Sequence, residues 1–233
     1  MAKARKKQEY TTEKVLDSLN ETAYKAENFF EKNSKIIIGM LAVLALAAIG
    51  YFIYLKTVLE PKSEKAFTEM VQADQYFQQD SIVLALKGSP GSFMGYEQIV
   101  ENYGGTKGGN IARYKAGISY YHLGDYASAV SMLEKFKSDD EILTAQKNGM
   151  IGNALVESKK EQEALPYYVK AAEGTDIEVL QTMYYTKAGK LAMQLGQNSE
   201  ALKYFQTLAD KYPNAGDEVD KFIERLKYAT SGN

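Results

Sequence analysis

The stretch "YGGTKGGN", Tyr103 to Asn110, gathers four glycines, a threonine and a lysine in eight residues. Glycine-freed amides beside a lysine and a hydroxyl are what a phosphate-cradling loop needs. The spacing argues against that reading. A phosphate loop reads G-x-x-x-x-G-K-[ST] after a strand. Here Thr106 precedes Lys107, Gly108 follows it, and the preceding segment has helical periodicity. The other chemically capable residues fare no better. Asp139, Asp140 and Glu141 are consecutive, so they do not converge on one substrate atom as an acid–base pair would. The absence of cysteine removes disulfides, thiolate catalysis and Cys-ligated metals, and the single histidine, His122, leaves little for a triad or a His-based metal site. No catalytic, cofactor-binding or metal-ligating residue is assigned, and no enzyme is expected. Most of the 18 tyrosines fall at packing positions such as Tyr120, Tyr168 and Tyr204, and the rest suit an interaction surface.

Composition narrows the class further. A length of 233 residues allows one substantial domain or two small ones. A formal charge of −2 offers no overall basic footprint, so no nucleic-acid partner is expected. The strongest local feature is "IIIGMLAVLALAAIGYFIYL", Ile36 to Leu55, which is free of charge and bracketed by Lys35 and Lys56. At ~1.5 Å per residue such a helix reaches ~30 Å, the thickness of a bilayer's hydrocarbon core. The run is apolar on every side, and Tyr51 and Tyr54 near its end suit the headgroup region. Ala45–Ala47 resembles a cleavage site, but 35 residues precede the run and it continues eight residues past Ala47. An uncleaved transmembrane helix is expected. Eight of the 28 basic and six of the 30 acidic residues fall in residues 1–35, leaving 20 and 24 in the remainder. The positive-inside rule then predicts a cytoplasmic N-terminus, with the residues after Lys56 across the membrane.

The head opens with the basic tip "AKARKK", and Thr12 is placed to cap a helix in which Val15, Leu19, Ala23, Ala26 and Phe30 share a face. Two readings stay open: an amphipathic helix along the inner leaflet, or a polar tail that only enforces topology. Beyond the span, Pro61 is expected to end the span region and Ser63 to open a helix to about Gln79. The apolar "SIVLALKG" and a turn at "KGSPGS" follow.

Three later stretches share one pattern: Tyr114–Phe136, Gly149–Ala172 and Lys187–Pro213. Each pairs a helix carrying Gly117, Gly152 or Gly189 with a second helix carrying Ala129, Ala164 or Ala201. Leu133, Tyr168 or Phe205 comes four residues after that alanine. The alanines lie 35 and 37 residues apart, and two antiparallel helices of about four turns use roughly 34. Small residues let paired helices approach, and the bulky ones are expected to fill the space between successive pairs. One hairpin buries too little alone, so the units stack as a solenoid. The arrangement resembles the tetratricopeptide repeat (TPR) family. Gly117, Tyr120, Gly124, Tyr126, Ala129 and Leu133 match its consensus in the first full unit, as do Gly189, Gly196, Ala201, Phe205 and Pro213 in the last. The middle unit departs from it, with Lys159 where a turn glycine is usual. Its Pro166 is tolerable if the second helix starts near Ala164. The family's tryptophan is absent.

On this register Ser92–Tyr103 aligns with the last unit's second helix, Ser92 with Ala201 and Tyr96 with Phe205. It reads as the second helix of a degenerate leading repeat. Gly104 and Gly105 are then expected to close that helix in the left-handed conformation, and Asn110 to cap the next. The glycine-rich stretch becomes a turn between repeats. Asp217 begins a last helix with Val219, Phe222, Ile223 and Leu226 on one side, suited to cover the end of the solenoid. The resemblance also implies a concave groove lined by first helices. Tyr114, Ile118, Tyr121 and His122 would line it in the first full unit, Asn153 and Val156 in the second, and Thr186, Lys190 and Met193 in the third. The alternative is that these residues are only solvent-facing or stabilising.

A basic head, one span and a trans-side TPR array together resemble the single-span ancillary subunits of the bacterial Sec translocon (the YfgM-like family). That resemblance implies an inner-membrane protein whose periplasmic solenoid links exported chains to periplasmic chaperones beside the translocon. It implies no cofactor and no small-molecule substrate. The alternative is a TPR scaffold for another envelope assembly or division complex. The expected organisation is all-α: head 1–35, transmembrane helix 36–55, linker and leading helix 56–91, TPR-like repeats 92–213, capping helix and tail 214–233.

Overall fold

The computed structural model describes the backbone of residues 2–212 and 217–231, and the side chains of Tyr24 and of residues 29–212 and 218–229. The chain divides into two units, Met1–Val58 and Leu59–Asn233.

In the first unit, α1 (Ala2–Tyr54) takes in the head and the apolar run as one helix. No proline or glycine occurs before Gly39, so nothing in the head stops helix propagation. Thr12 therefore lies inside the helix and does not cap it. The side chains of Val15, Leu19, Ala23 and Ala26 fall outside the described residues, while Phe30 is exposed. Along the apolar run, residues as different in direction as Leu44, Leu46 and Ile49 are all more than half exposed. The helix is long and apolar enough to cross a membrane.

A π-helical turn, Leu55–Leu59, precedes α2 (Glu60–Gln78). Pro61 sits in the first turn of α2, where a missing N–H is not needed. It starts a helix instead of ending the span region. The second unit continues with α3 (Ile82–Lys87), α4 (Tyr96–Tyr103), α5 (Lys107–His122), α6 (Tyr126–Lys135), α7 (Glu141–Glu157), α8 (Glu161–Glu173), α9 (Glu178–Gln194), α10 (Asn198–Lys211) and α11 (Asp217–Ser231). Between α3 and α4, β1 (Gly88–Ser89) pairs antiparallel with β2 (Phe93–Met94), the one departure from an all-helical solenoid among the described residues.

One turn recurs four times. After α2, α5, α7 and α9 the same pattern of backbone hydrogen bonds closes the helix, for example Asp80 N–H to the Phe77 carbonyl at 3.1 Å and Gly196 N–H to the Met193 carbonyl at 3.1 Å. Its left-handed residue is Asp80, Gly124, Lys159 or Gly196, with φ of 59°, 77°, 60° and 73°. Five residues later comes a fully buried alanine: Ala85, Ala129, Ala164 or Ala201. The leading repeat is thus complete, with α2 as its first helix and a second helix interrupted by the strand pair. Ser92, aligned above with Ala201, is not helical. Ala85 holds that place, and the interruption separates it from Tyr96.

Packing inside each hairpin explains the glycines. A Cβ on Gly117 would lie 2.7 Å from Leu133 Cγ, one on Gly152 2.7 Å from Tyr168 Cε1, and one on Gly189 2.5 Å from Phe205 Cζ. The bulky residues therefore seat on the glycine of their own hairpin, not between successive pairs as expected. Between units the same device recurs, with the Tyr184 ring over Gly149. Pro166 lies inside α8, which begins at Glu161 and not at Ala164; the side chain is exposed. Val219, Ile223 and Leu226 of α11 are buried and Phe222 stacks on Phe205 at 4.7 Å, so the last hairpin's core is covered. Pro213 lies outside the described residues.

Candidate partner-binding groove

The glycine-rich stretch is built for close approach, not for a ligand. Thr106 caps α5, its Oγ1 accepting the Gly109 N–H at 3.1 Å, and the Gly108 N–H donates to Ser63 Oγ at 2.9 Å. The Gly108 and Gly109 amides are therefore already taken. A Cβ on Gly109 would stand 1.9 Å from the Tyr103 carbonyl oxygen, and one on Gly108 2.5 Å from that of Ser63, so only glycine lets α5 meet α4 and α2 here. Gly104 is right-handed, and Gly105 is not among the positive-φ residues. Asn110 does not cap: its amide donates to the Lys137 carbonyl at 2.7 Å and its Oδ1 accepts the Lys137 N–H at 3.1 Å, tying α5 to the segment after α6. Asp140 caps α7 through the Leu143 N–H, and Glu141 accepts the Asp176 N–H at 3.2 Å. Among the described residues no cluster of His, Asp or Glu is arranged to hold a metal.

Four first helices, α2, α5, α7 and α9, carry the predicted groove positions and their counterparts. Tyr114 and Ile118 line a cavity of about 260 Å³ together with Asp74 and Phe77 of α2, Tyr96 of α4 and Lys115 of α5. Gln78 also lines it and is exposed, but the other polar groups are already engaged. The Asp74 carboxylate accepts the Tyr96 hydroxyl at 2.6 Å and the Lys115 ammonium at 2.6 Å, and the Tyr114 hydroxyl donates to Gln146 Oε1 at 3.2 Å. Burial, then Asp74, drives the Tyr96 phenol far above its ordinary value, so it remains a donor. What the cavity offers a visitor is apolar surface. Phe67 and Val71, two exposed apolar residues, stand earlier on α2.

The other predicted positions divide. His122 is exposed, with its ring edge-on to Phe77 at 5.9 Å and to Tyr121 at 6.0 Å. Tyr121 also meets Tyr126 at 5.6 Å. Asn153 is polar and engaged: its Oδ1 accepts the Tyr168 hydroxyl at 2.9 Å and the Lys187 ammonium at 2.8 Å. Burial pushes the Tyr168 phenol up to about 12, which keeps it protonated at neutral pH. Val156 packs on the core and Thr186 is half-buried. Lys190 pairs with Glu218 of α11 at 2.9 Å and lies over the Phe222 ring at 5.3 Å. Met193 lines, with Lys190, Phe222 and Arg225, a second cavity of about 530 Å³ between α9 and α11. Tyr114 and Ile118 are thus brought together with residues of α2, whereas Lys190 and Met193 face the capping helix. Sequence reasoning missed Asp74, Phe77 and Lys187. Counting back from Asp80, a residue type that tolerates the left-handed turn, would have put α2 in register.

Comparison with known proteins agrees with this geometry. Residues 112–140 and 185–215 match the tetratricopeptide repeat family model, the first stretch covering most of α5 and α6 and the second most of α9 and α10. Among solved structures the chain is similar to YrrB, a TPR protein with an unusual peptide-binding site, at a TM-score of 0.54 and 21% identity over 77% of this chain and 84% of that one. It is also similar to the MamA protein, at a TM-score of 0.51 and 15% identity over 72% of this chain and 89% of that one. Identities this low show the fold alone. No curated protein matches the chain. The conclusion on both counts is that this chain carries tetratricopeptide repeats, stacked as a helical-hairpin solenoid of the kind that serves as a protein-interaction scaffold, together with one N-terminal helix fit to span a membrane.

Proposed function

We propose that the chain is a membrane-anchored adaptor. Residues 1–35 lie in the cytoplasm, Ile36 to Leu55 cross the bacterial inner membrane, and the solenoid works in the periplasm as an accessory to the Sec translocon, linking exported chains to periplasmic chaperones. The repeats 92–213 and their leading helix form the interaction surface, closed by residues 214–233. The carrying observation is the apolar cavity between α2 and α5, whose Asp74, Tyr96, Tyr114 and Lys115 are already hydrogen-bonded within the solenoid, on a helix that also exposes Phe67 and Val71. A wall of this kind favours an apolar side chain from a bound polypeptide and disfavours a charged one. The charge asymmetry around the span supports the topology, and the resemblance to translocon subunits supports the partner.

A crosslinked pull-down with the full-length chain tests this reading. Wild type retrieves Sec components together with soluble periplasmic proteins. Phe67→Ser, Val71→Ser and Ile118→Asp combined release the soluble partners and leave the membrane partner. Absence of Sec components sinks the translocon assignment and favours another envelope complex. In spheroplasts, added protease should digest the solenoid; its protection, or a mature chain beginning near Ala48, sinks the topology.

A further inference from the structure

We infer that α1 pairs with α1 of a second copy of this chain, as a parallel coiled coil running from the head into the span. The inference rests on the topology proposed above, which puts the solenoid across the bilayer from the head. Written as heptads abcdefg with Leu16 at a, the head places Leu16, Leu19, Ala23, Ala26 and Phe30 at successive a and d positions. Asn33 takes the next d position, and Ile37 and Met40 carry the register into the apolar run. Of the seven charged residues between Leu16 and Lys35, six fall at b, c or f: Asp17, Glu21, Lys25, Glu31, Lys32 and Lys35. Glu27, at e, is the exception beside the seam.

The continuity of the helix limits what covers this seam. α1 is helical without interruption from Ala2 to Tyr54. Sharp bends arise at proline, at glycine–serine pairs or at π-turns, and no proline or glycine occurs before Gly39. The head therefore continues the axis of the span, and at ~1.5 Å per residue it projects about 50 Å from the apolar run. It does not lie along the inner leaflet, so lipid does not cover its apolar face. Nor does the chain itself: Tyr24, Phe29 and Phe30 are 67%, 60% and 58% exposed. Helices in proteins draw most of their stability from packing of such a face. A second copy fits it. Its span enters the bilayer in the same direction and at the same depth, which sets a parallel, in-register pairing. In that pairing g faces e of the next heptad: Val15 meets Asn20, Thr22 meets Glu27 and Phe29 meets Ser34, with no like-charged pair. Asn33 meets Asn33 of the second copy. Its amide donates one hydrogen to the Phe29 carbonyl at 2.8 Å, which leaves a second hydrogen and an oxygen to exchange across the seam. One polar residue at such a position fixes register. Over residues 16–54 four positions in seven face the partner, about 22 residues a side, within the ~20–30 of a stable interface.

The chain has no cysteine, so single cysteines report the pairing directly. The full-length chain carrying Ala23→Cys, Ala26→Cys, Glu21→Cys or Asn28→Cys is oxidised with copper phenanthroline in native membranes. Ala23 and Ala26 lie at a and d, where facing Cα atoms come within disulfide reach, whereas Glu21 and Asn28 lie at f, on the outside. The a and d variants should form the covalent dimer about tenfold or more faster than the f variants. In neutral detergent, energy transfer between labelled copies measures the dimer's dissociation constant. Leu19→Lys with Phe30→Lys should raise it about tenfold or more, while Glu21→Lys leaves it within about twofold. Equal oxidation at all four positions, a dimer indifferent to the seam lysines, or a cross-link to a protein of another size in place of the dimer overturns the inference. If that happens while added protease still digests the solenoid in spheroplasts, the inference fails alone and the adaptor reading stands. Protection of the solenoid overturns the topology and the inference with it.

Discussion

The leading hairpin and the last one make the same structure from different residues. In the last, α9 and α10 meet at Gly189 and Phe205, and Gly196 supplies the left-handed turn. In the leading one Ala73 replaces the helix glycine, Asp80 the turn glycine, and Tyr96 the phenylalanine, with seven further residues and a strand pair inserted before it. The repeat is therefore defined by a turn geometry and a buried alanine, not by its consensus glycines. Where glycine is lost, something compensates. Tyr96 is fixed by a hydrogen bond to Asp74, whereas Phe205 has no polar atom to fix and lies against the bare backbone of Gly189 under the Phe222 ring.

The comparison breaks most directly at the buried alanines. Ala85 and Ala201 have no exposed surface, so Ala85→Glu and Ala201→Glu should each bury an unpaired charge, at about 3 kcal/mol or more. A circular-dichroism melt of the full-length chain should fall by roughly 6 °C or more in both. If Ala85→Glu melts like wild type while Ala201→Glu does not, the leading hairpin is not a repeat unit.

The insertion provides the next effect. Gly88 has φ of +76°, and a Cβ there would lie 2.4 Å from the backbone nitrogen of Gly95. Gly91 has φ of +74° with nothing within 4 Å. Gly88→Ala should thus cost about 2–3 kcal/mol, from strain and a backbone clash together, and Gly91→Ala about 1 kcal/mol from strain alone. Denaturant midpoints measure both, and equal midpoints would show that the strand pair is not tightly held. Gly189→Ala follows, at about 1–3 kcal/mol, because the new methyl meets the Phe205 ring 2.5 Å away. A wild-type midpoint there would mean that the ring moves aside freely.

How much of this was legible in the sequence depends on how local the signal is. The apolar run, the hairpins of α5–α6 and α9–α10 and the small-to-bulky spacing are short-range and readable. The leading repeat was misaligned because its interruption separates Ala85 from Tyr96, so Ser92 stood four residues before Tyr96 and imitated the alanine. Asn110 looked like a cap because it precedes an apolar run, but Thr106 reaches the Gly109 amide first. The groove list, carried over from first-helix positions, took in Lys190 and Met193 without foreseeing that α11 would face them. It missed Lys187, whose contacts are with Asn153 and Tyr168 of a different repeat. Contacts between repeats have no signature in the spacing of one.

The smallest expected effect concerns the turn itself. Asp80 and Lys159 adopt φ of 59° and 60°, where Gly124 and Gly196 hold the same turn without a Cβ. Aspartate tolerates the left-handed region because its short side chain bonds locally, and lysine has no such help. Lys159→Gly should relieve about 1 kcal/mol of strain, less a few tenths for the greater freedom of the unfolded glycine. Asp80→Gly should gain less, within about 0.5 kcal/mol of neutral. The urea midpoint should therefore rise for Lys159→Gly and barely move for Asp80→Gly, with the slope unchanged in both. Were Asp80→Gly the more stabilising of the two, side-chain bonding by aspartate would not be what lets the leading repeat dispense with its glycine.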